Sequence, residues 1–197
     1  MKTLYTSLKI FLFFTVLTGI AYPLIVTGIA QLTFPAKANG SLIVKNNKII
    51  GSELIGQKFD TLIYFSSRPS AVSYNPLPSG GSNFGLTNDK LKHSVDSLRK
   101  QFAVFNHLDA NSAIPSEMVF ASASGLDPHI SPEAAYLQLD RIASARKLSG
   151  AEKINLKKYI SSSVCYPQFG LLGDGCINVL LMNLELDQNY GQYSHFN

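Results

Sequence analysis

The side chains best suited to chemistry in this sequence lie together in SGLDPHISPEAA, residues 124–135. Asp127 and His129 are an acid and a base two residues apart, and Ser131 adds a hydroxyl group. Covalent catalysis requires a nucleophile, a base and an orienting group brought together from separate places. A metal site requires three or four ligands, and this Asp and His supply at most two. We therefore assign no catalytic and no metal-binding residue from this stretch.

The same residues fit the entrance to a helix. A serine at the N-cap accepts from a free backbone N–H, and proline suits the first helical position because it lacks that donor. Ser131 and Pro132 supply these features in order, and Glu133 suits the positive end of the helix dipole. Pro128 restricts Asp127 to extended or turn geometry. The face predicted for this helix comprises Ala135, Leu139, Ile142 and Arg146.

A long polar stretch, residues 64–88, is rich in Ser, Pro, Gly and Asn and carries one charge before Asp89, that of Arg68. A loop of this length is often functional, so it is interpreted as a partner surface, an ion-path mouth or an ordered surface loop. Glycine-rich loops can bind anions through backbone N–H groups, and Ser79, Gly80, Gly81, Ser82 and Asn83 form such a stretch. No Lys-Ser/Thr pair follows, so this is not a nucleotide-binding P-loop.

The composition and the absence of known motifs argue against several classes of function. Charged residues make up 15% of the 197-residue chain, and the formal net charge is +4. The sequence has no Lys/Arg stripe with interleaved aromatic residues, so nucleic-acid binding is not indicated. It also lacks H-E-x-x-H, C-x-x-C and G-x-S-x-G, so no hydrolase or metalloenzyme signature is present.

Residues 10–34 carry no charge and are long enough to cross a bilayer as a helix, which needs about 20 apolar residues. Pro23 should kink this helix, which membrane helices tolerate. A cleaved signal peptide is the alternative, but its apolar region is usually about 7–15 residues. With Lys2 and Lys9 before the span, we predict a cytoplasmic tail over 1–9, a transmembrane helix over 10–34 and an extracytoplasmic domain over 36–197.

The outer domain is predicted to be mixed α+β. Residues 41–52 indicate a β-hairpin turning at Asn46 and Asn47. A helix is predicted from Asn88, and a capping box of Ser149 and Glu152 opens another towards Ile160. The apolar residues 177–186 fit either a strand or a helix. The face predicted for the helix after Asn88 comprises Leu91, Val95, Leu98, Phe102 and Phe105.

The two cysteines, Cys165 and Cys176, flank a loop-like stretch containing Pro167 and three glycines. In an oxidising compartment they could close a small disulfide loop. Two free thiols are the equally weighted alternative, and the sequence leaves both open.

The order of these segments resembles the C subunit of the Kdp potassium-transporting ATPase. The apolar N-terminal helix is followed by the matching stretches GSELIGQKF (51–59), YFSSRPSAVSYN (64–75), SGGSNFGLTN (79–88), SGLDPHISPEAA (124–135) and NVLLMNLELD (178–187). Two features depart from the family pattern: the residues ASASG (121–125) that precede the Leu-Asp-Pro-His run, and the two cysteines.

The resemblance implies an accessory subunit of the cell (inner) membrane that is not an enzyme on its own. Its implied partners are a channel-like potassium-binding subunit and a P-type ATP-hydrolysing subunit, and potassium is handled by the complex. ATP is a family-level cofactor expectation, linked to a catalytic-chaperone role. The candidate partner or ion-path contacts are Arg68, Ser79, Gly80, Gly81, Ser82, Asn83, Asp127, His129 and Ser131. A membrane-tethered extracytoplasmic binding protein is the main alternative, and an anchored hydrolase using His129 is a weaker one.

Overall fold

The computed structural model describes residues 2–45 and 47–191. The chain divides into two compact units, Met1–Ser52 and Glu53–Asn197. The first unit contains the apolar helix and the hairpin, and the second contains every candidate contact residue.

The first unit begins with a long apolar helix, formed by α1 (Lys2–Val16), a π-helical turn (Leu17–Ala21) and α2 (Tyr22–Thr33). Its 32 residues include an 18-residue window of mean hydropathy 2.1, none of it buried in the structure. Within the described ranges it is the one helix long and apolar enough to cross a membrane.

The π-helical turn lies immediately before Pro23. The backbone N–H of Tyr22 donates to the carbonyl of Leu17, five residues earlier. A proline ring clashes with the regular helix on its N-terminal side, and a wider turn relieves such a clash. The structure thus has a π-helical turn next to the proline at which a kink was predicted.

After the short helix α3 (Pro35–Ala38), strands β1 (Leu42–Lys45) and β2 (Lys48–Ser52) form an antiparallel hairpin. This confirms the hairpin predicted over 41–52. Asn47 has a φ of 60°, the left-handed conformation that asparagine tolerates in tight turns. Asn46, the other predicted turn residue, lies outside the described residues.

The second unit is a mixed helix and strand domain, as predicted. Its two short strands pair antiparallel, with His129 opposite Asn178 and Ile130 opposite Ile177. Its elements are α4 (Asp89–Phe105), β3 (His129–Ile130), α5 (Pro132–Ala145), α6 (Gly150–Ser162), β4 (Ile177–Asn178) and α7 (Val179–Tyr190). A single 3₁₀ turn, Ser116–Met118, lies between α4 and β3.

The predicted helix starts are confirmed. Asn88 accepts from the Lys90 N–H at α4, and Ser131 accepts from Ala134 at α5. Ser149 and Glu152 form the complete capping box of α6. The undecided stretch 177–186 contains both structures, because two strand residues lead directly into α7.

The predicted helix faces are buried to different degrees. On α5, Ala135, Leu139 and Ile142 are buried as expected. On α4, Phe102 is buried while Leu91, Val95, Leu98 and Phe105 are only half-buried. The apolar face of α4 therefore remains partly open.

A segment that joins no sheet, Thr61–Ser66, turns at the surface and then enters the core, where Tyr64 and Phe65 are fully buried. Arg141, on α5, has only 1% of its surface exposed and donates to three of its carbonyls. One terminal nitrogen bonds Thr61 at 3.2 Å and also Leu62, and the other bonds Tyr64 at 2.9 Å. Burial lowers the pKa of Arg141 to about 10, so the guanidinium remains charged at neutral pH.

A second buried arginine, Arg146, binds the same segment from the end of α5. Its Nε donates to the Ile63 carbonyl at 2.8 Å, and its Nη2 donates to Asp187 Oδ1 at 2.8 Å. Tyr64 donates its hydroxyl to the other oxygen of Asp187 at 2.7 Å. Burial, together with Asp187, raises the pKa of the Tyr64 hydroxyl, which keeps it a donor.

Two buried amides complete the hydrogen bonding of Thr61–Ser66. Asn183 accepts from the Phe65 N–H at 2.8 Å and donates to its carbonyl at 2.9 Å. Gln138 accepts from the Ser66 N–H at 2.7 Å and donates more weakly to its carbonyl at 3.5 Å. Each of the six carbonyls in this segment thus has a side-chain donor. Side chains satisfy here the backbone groups that a sheet would otherwise pair.

Replacing Arg141 with lysine should destabilise the second unit. Lysine keeps the charge but lacks the planar fork, so it cannot reach carbonyls on both sides. Leaving buried acceptors unpaired costs about 1–3 kcal/mol each, so we expect a loss of about 3 kcal/mol in the free energy of unfolding. Denaturant titration of the full chain in mild detergent, followed by tyrosine fluorescence, measures it.

Arg99→Lys is the matched control, because Arg99 is exposed on α4 and exposed substitutions usually change stability by less than about 0.5 kcal/mol. Equal midpoints for Arg141→Lys and Arg99→Lys would refute the role assigned to the buried fork.

Candidate functional site

Three of the predicted contact residues meet around one carboxylate. Arg68 donates from Nη1 to Asp127 Oδ2 at 2.6 Å. The backbone N–H of His129 donates to Asp127 Oδ1 at 3.0 Å, and the His129 Nδ1 lies 3.4 Å from the same oxygen. The turn predicted at Asp127 is therefore closed by its own side chain and joined to the 64–88 loop.

The environment of Asp127 favours the charged form. The hydrogen bonds from the His129 side chain and backbone, with the positive charge of Arg68, lower the pKa of Asp127 to about 2, against the opposing effect of burial. A carboxylate with so low a pKa is a weak base at neutral pH. Both of its oxygens are also already bonded, which suits it to holding a turn.

The residues after Asp127 are fixed by two elements. His129 belongs to β3, which pairs with β4. The first residue of α7, Val179, donates its backbone N–H to the Pro128 carbonyl at 2.9 Å. Ser131 uses its hydroxyl at the start of α5. Its own N–H donates to Glu117 Oε1 at 3.3 Å. Ser131 is thus a capping residue, as the structural interpretation predicted.

These residues form one wall of a cleft of about 530 Å³. Its ionisable lining is mainly acidic, and the basic residues that line it are Arg68 and His129. The acidic lining residues are Glu117, Asp127, Glu133 and Asp174. The cleft therefore favours a cation or a basic partner over an anion.

The glycine-rich stretch 79–83 packs against residues 122–125, which precede the Asp127 turn. Gly80 donates its N–H to the Ser124 carbonyl at 2.9 Å, and a Cβ on Gly81 would lie 3.2 Å from the Ala123 carbonyl oxygen. Gly125 has a φ of +70°, and a Cβ there would lie 2.9 Å from the Gly80 oxygen. Glycine is required here for close backbone approach. Gly80 cannot offer its N–H to a phosphate while this bond is made.

The structure thus separates the predicted contact residues into two groups. Arg68, Asp127, His129 and Ser131 line the cleft together. Ser79, Gly80, Gly81, Ser82 and Asn83 do not line it, although Gly80 and Gly81 pack beside Ser122–Gly125. Ser79, Ser82 and Asn83 are exposed. Among the residues that the structure describes, no group of three or more His, Cys, Asp or Glu side chains could hold a metal ion.

Two surfaces were missed by sequence reasoning. The first is a groove of about 820 Å³ between the half-buried face of α4 and the 58–74 segment, lined by Phe59, Pro69, Tyr74, Leu98, Phe102 and Phe105. The second is an exposed apolar tip between the two cysteines, where Phe169 is 92% exposed. The signal for the tip was an uncharged run bounded by Pro167 and Gly173.

Asp127→Asn should weaken the acid sensitivity of the domain. Because the folded pKa of Asp127 lies below the usual value of about 3.9, its stabilisation is present above that value and is lost as pH falls towards about 2. Asparagine keeps a side-chain oxygen that can accept from the His129 N–H, but it does not titrate. Between pH 4 and pH 2, about the window set by these pKa values, the unfolding temperature of the variant should fall less steeply than that of the wild type.

Asp96→Asn, on the exposed face of α4, is the control and should keep the wild-type slope. An Asp127→Asn curve parallel to the wild-type curve throughout this window would show that the native bonds of Asp127 do not contribute to acid stability.

Comparison with known proteins identifies the family. Residues 4–188 match the family model described as "K+-transporting ATPase, c chain", a range that includes the apolar helix and the cleft. A protein of Acidobacterium capsulatum named "Potassium-transporting ATPase KdpC subunit" is 47% identical over 190 residues, covering 95% of this chain and 99% of its own length.

Two further relatives carry the same name. The protein of Leptospira interrogans is 44% identical over 185 residues, covering 94% of this chain and 93% of its own. That of Photorhabdus laumondii is 45% identical over 189 residues, covering 92% and 94%. The match extends over nearly the whole chain in each case, so this chain belongs to the KdpC family, the c chain of the K+-transporting ATPase.

Proposed function

We propose that this chain is a non-catalytic accessory subunit of an ATP-driven, high-affinity potassium uptake complex. The observation that carries this proposal is the family match over residues 4–188, supported by relatives named as subunits of a potassium-transporting ATPase. The partners would be the channel-like potassium-binding subunit and the P-type ATP-hydrolysing subunit. The role would be to assemble and stabilise the complex, and to support ATP binding as a catalytic chaperone.

The helix Lys2–Thr33 would anchor the chain in the cell (inner) membrane by a single pass. Lys2 and Lys9 favour a cytoplasmic N-terminus, which would put the second unit outside the cytoplasm. Lys37, Lys45 and Lys48 lie beyond the other end and oppose this orientation. The short N-terminal tail carries more weight, because long domains translocate largely regardless of charge.

The bonding of Asp127 supports a contact role rather than catalysis. Its two oxygens are engaged by Arg68 and His129, and Ser131 is engaged as a helix cap. The Ser131 hydroxyl and the Asp127 carboxylate, which a catalytic set would use as nucleophile and orienting group, are therefore already engaged. The acidic cleft would instead face the potassium-binding subunit, where its negative potential attracts cations over about 10 Å at ordinary salt.

An effect on ATP would have to be indirect. ATP is cytoplasmic, and the proposed orientation puts the 79–83 stretch on the opposite side of the membrane. The Gly80 N–H is also engaged by Ser124. Coupling to the nucleotide site would therefore run through partner subunits, and it requires contacts that differ between two states of the complex.

A photoreactive ATP analogue should not label residues 79–83 of the purified full chain, because the Gly80 N–H is bonded to Ser124 and Gly81 packs closely on Ala123. Labelled peptides are mapped by mass spectrometry, and labelling of the ATP-hydrolysing subunit in the intact complex is the positive control. Saturable labelling of Ser79–Asn83 that unlabelled ATP competes away would overturn the indirect mechanism.

Co-purification tests the accessory role directly. The tagged full chain, solubilised in mild detergent from membranes of potassium-starved cells, should recover a P-type ATPase and a large potassium-binding membrane protein. With Asp127→Asn, we expect the same subunits to be recovered while potassium uptake at low external potassium weakens, because the cleft loses a negative charge. Asp96→Asn should leave both measurements unchanged.

Recovery of the chain alone in several detergents would favour the membrane-tethered binding protein instead. The groove of about 820 Å³ beside α4 is the feature that would serve such a protein. Complete recovery with unchanged uptake in Asp127→Asn would leave Asp127 with a structural role only.

A further inference from the structure

The two cysteines lie directly opposite one another in an antiparallel bridge. The Cys165 N–H donates to the Cys176 carbonyl at 2.8 Å, and the Cys176 N–H donates to the Cys165 carbonyl at 3.1 Å. A second bridge joins Gln168 and Leu172 further out. The segment Cys165–Cys176 is therefore a hairpin-like loop closed by isolated bridges, here called the cysteine hairpin, with one cysteine on each side of its base.

This register brings the two sulfur atoms to the same face. Paired residues that exchange both backbone hydrogen bonds have Cα atoms about 5.5 Å apart, within the range of about 4.4–6.8 Å found in disulfides. Besides burial, the proximity of Cys165 is one of the causes that raise the pKa of the Cys176 thiol. A bond between the sulfurs therefore requires only local adjustment of an isolated bridge flanked by loops.

The tip of the cysteine hairpin gains little from packing. Phe169 is 92% exposed, Leu171 86%, Tyr166 75% and Leu172 64%. Burial of apolar surface is the main stabilising contribution in most folded segments, and these side chains bury little. A covalent link at the base would limit the conformations of this hairpin where packing does not.

The base of the cysteine hairpin is also part of the cleft. Cys176 lines the cleft beside Asp127 and His129, and it immediately precedes β4, whose Ile177 pairs with Ile130. A link from Cys165 to Cys176 would thus fasten the exposed hairpin to the cleft wall.

We propose that Cys165 and Cys176 are joined by a structural disulfide in the membrane-bound protein, formed by exchange with a disulfide-bearing thiol oxidoreductase. The thiolate of exposed Cys165 attacks the oxidant's disulfide, and one oxidant sulfur leaves as a thiol. The Cys176 thiolate then attacks the Cys165 sulfur of the mixed disulfide and releases the second. The two protein thiols lose two electrons and two protons, and the oxidant's disulfide is reduced to a dithiol.

The surroundings favour a permanent bond over a catalytic one. Burial, together with Cys165 and Asp127, raises the pKa of the Cys176 thiol, whereas catalytic thiols have lowered pKa values. The inference rests on the proposed extracytoplasmic location, because disulfides persist in oxidising compartments and are rare in the cytosol.

Thiol counting and peptide mapping of the full chain test this bond. Cells expressing the chain are denatured in a membrane-permeant alkylating reagent, and the protein is then reduced and alkylated with a second reagent. We expect none of the first label and two of the second on each chain. No Lys or Arg follows Lys158, so trypsin leaves both cysteines on one peptide. Chymotryptic cleavage at exposed Phe169 should then give two fragments that separate only after reduction.

Cys176→Ser leaves the exposed Cys165 as a single thiol and reports the side of the membrane. In intact cells, a membrane-impermeant reagent should label it if the domain is outside. Two first-reagent labels on the wild type would overturn the disulfide. If Cys176→Ser is then still labelled from outside, the proposed orientation stands without the bond. If it is labelled only after lysis, the orientation fails as well.

Discussion

The second unit depends on buried side chains that take the place of a sheet around Thr61–Ser66. Arg141 and Arg146 each donate to carbonyls of this segment, and Asn183 and Gln138 satisfy the rest. Buried backbone polar groups must be paired, and the strands of this unit contain only two residues each. A segment without a sheet partner can therefore enter the core because α5 and α7 present these donors. Arg146 forms an ion pair with Asp187, and both side chains are almost fully buried. The positive charge of Arg146 is therefore balanced inside the core.

This constraint also sets the position of the cleft. Arg68 lies two residues beyond Ser66, whose N–H is held by Gln138 of α5. The same helix begins at Ser131, where the chain leaves the Asp127 turn. The two partners of the Arg68–Asp127 ion pair are thus fixed from the middle and from the start of one helix. Side chains anchored on a regular element hold their geometry more closely than side chains on free loops, so a loop of this length can still present a defined surface.

How far the sequence predicts this structure depends on how many residues separate the partners of each interaction along the chain. Helix starts at Asn88, Ser131 and Ser149 follow from residues within three positions, so they could be predicted. The helical period placed Arg146 on an apolar face, but its partner Asp187 is 41 residues away, and no local pattern indicates that pair. The glycines at 80 and 81 were ambiguous for another reason. A residue without a side chain serves an anion or a neighbouring backbone equally well, and only the contact with Ala123 and Ser124 distinguishes them.

The electrostatics of the cleft explain why its effect would require the assembled complex. Its carboxylates are partly offset by Arg68, and the field of exposed charges fades within about 10 Å at ordinary salt. A cation in bulk solution would gain little from such a cleft, whereas one confined at a pore mouth within that distance would gain more, because low-dielectric walls focus the field. Under the proposed function, the same charges would therefore have a small effect on an isolated domain and a larger one on a docked domain. For a chain of this family, the influence of Asp127 would then depend on how closely the cleft is held to the ion path.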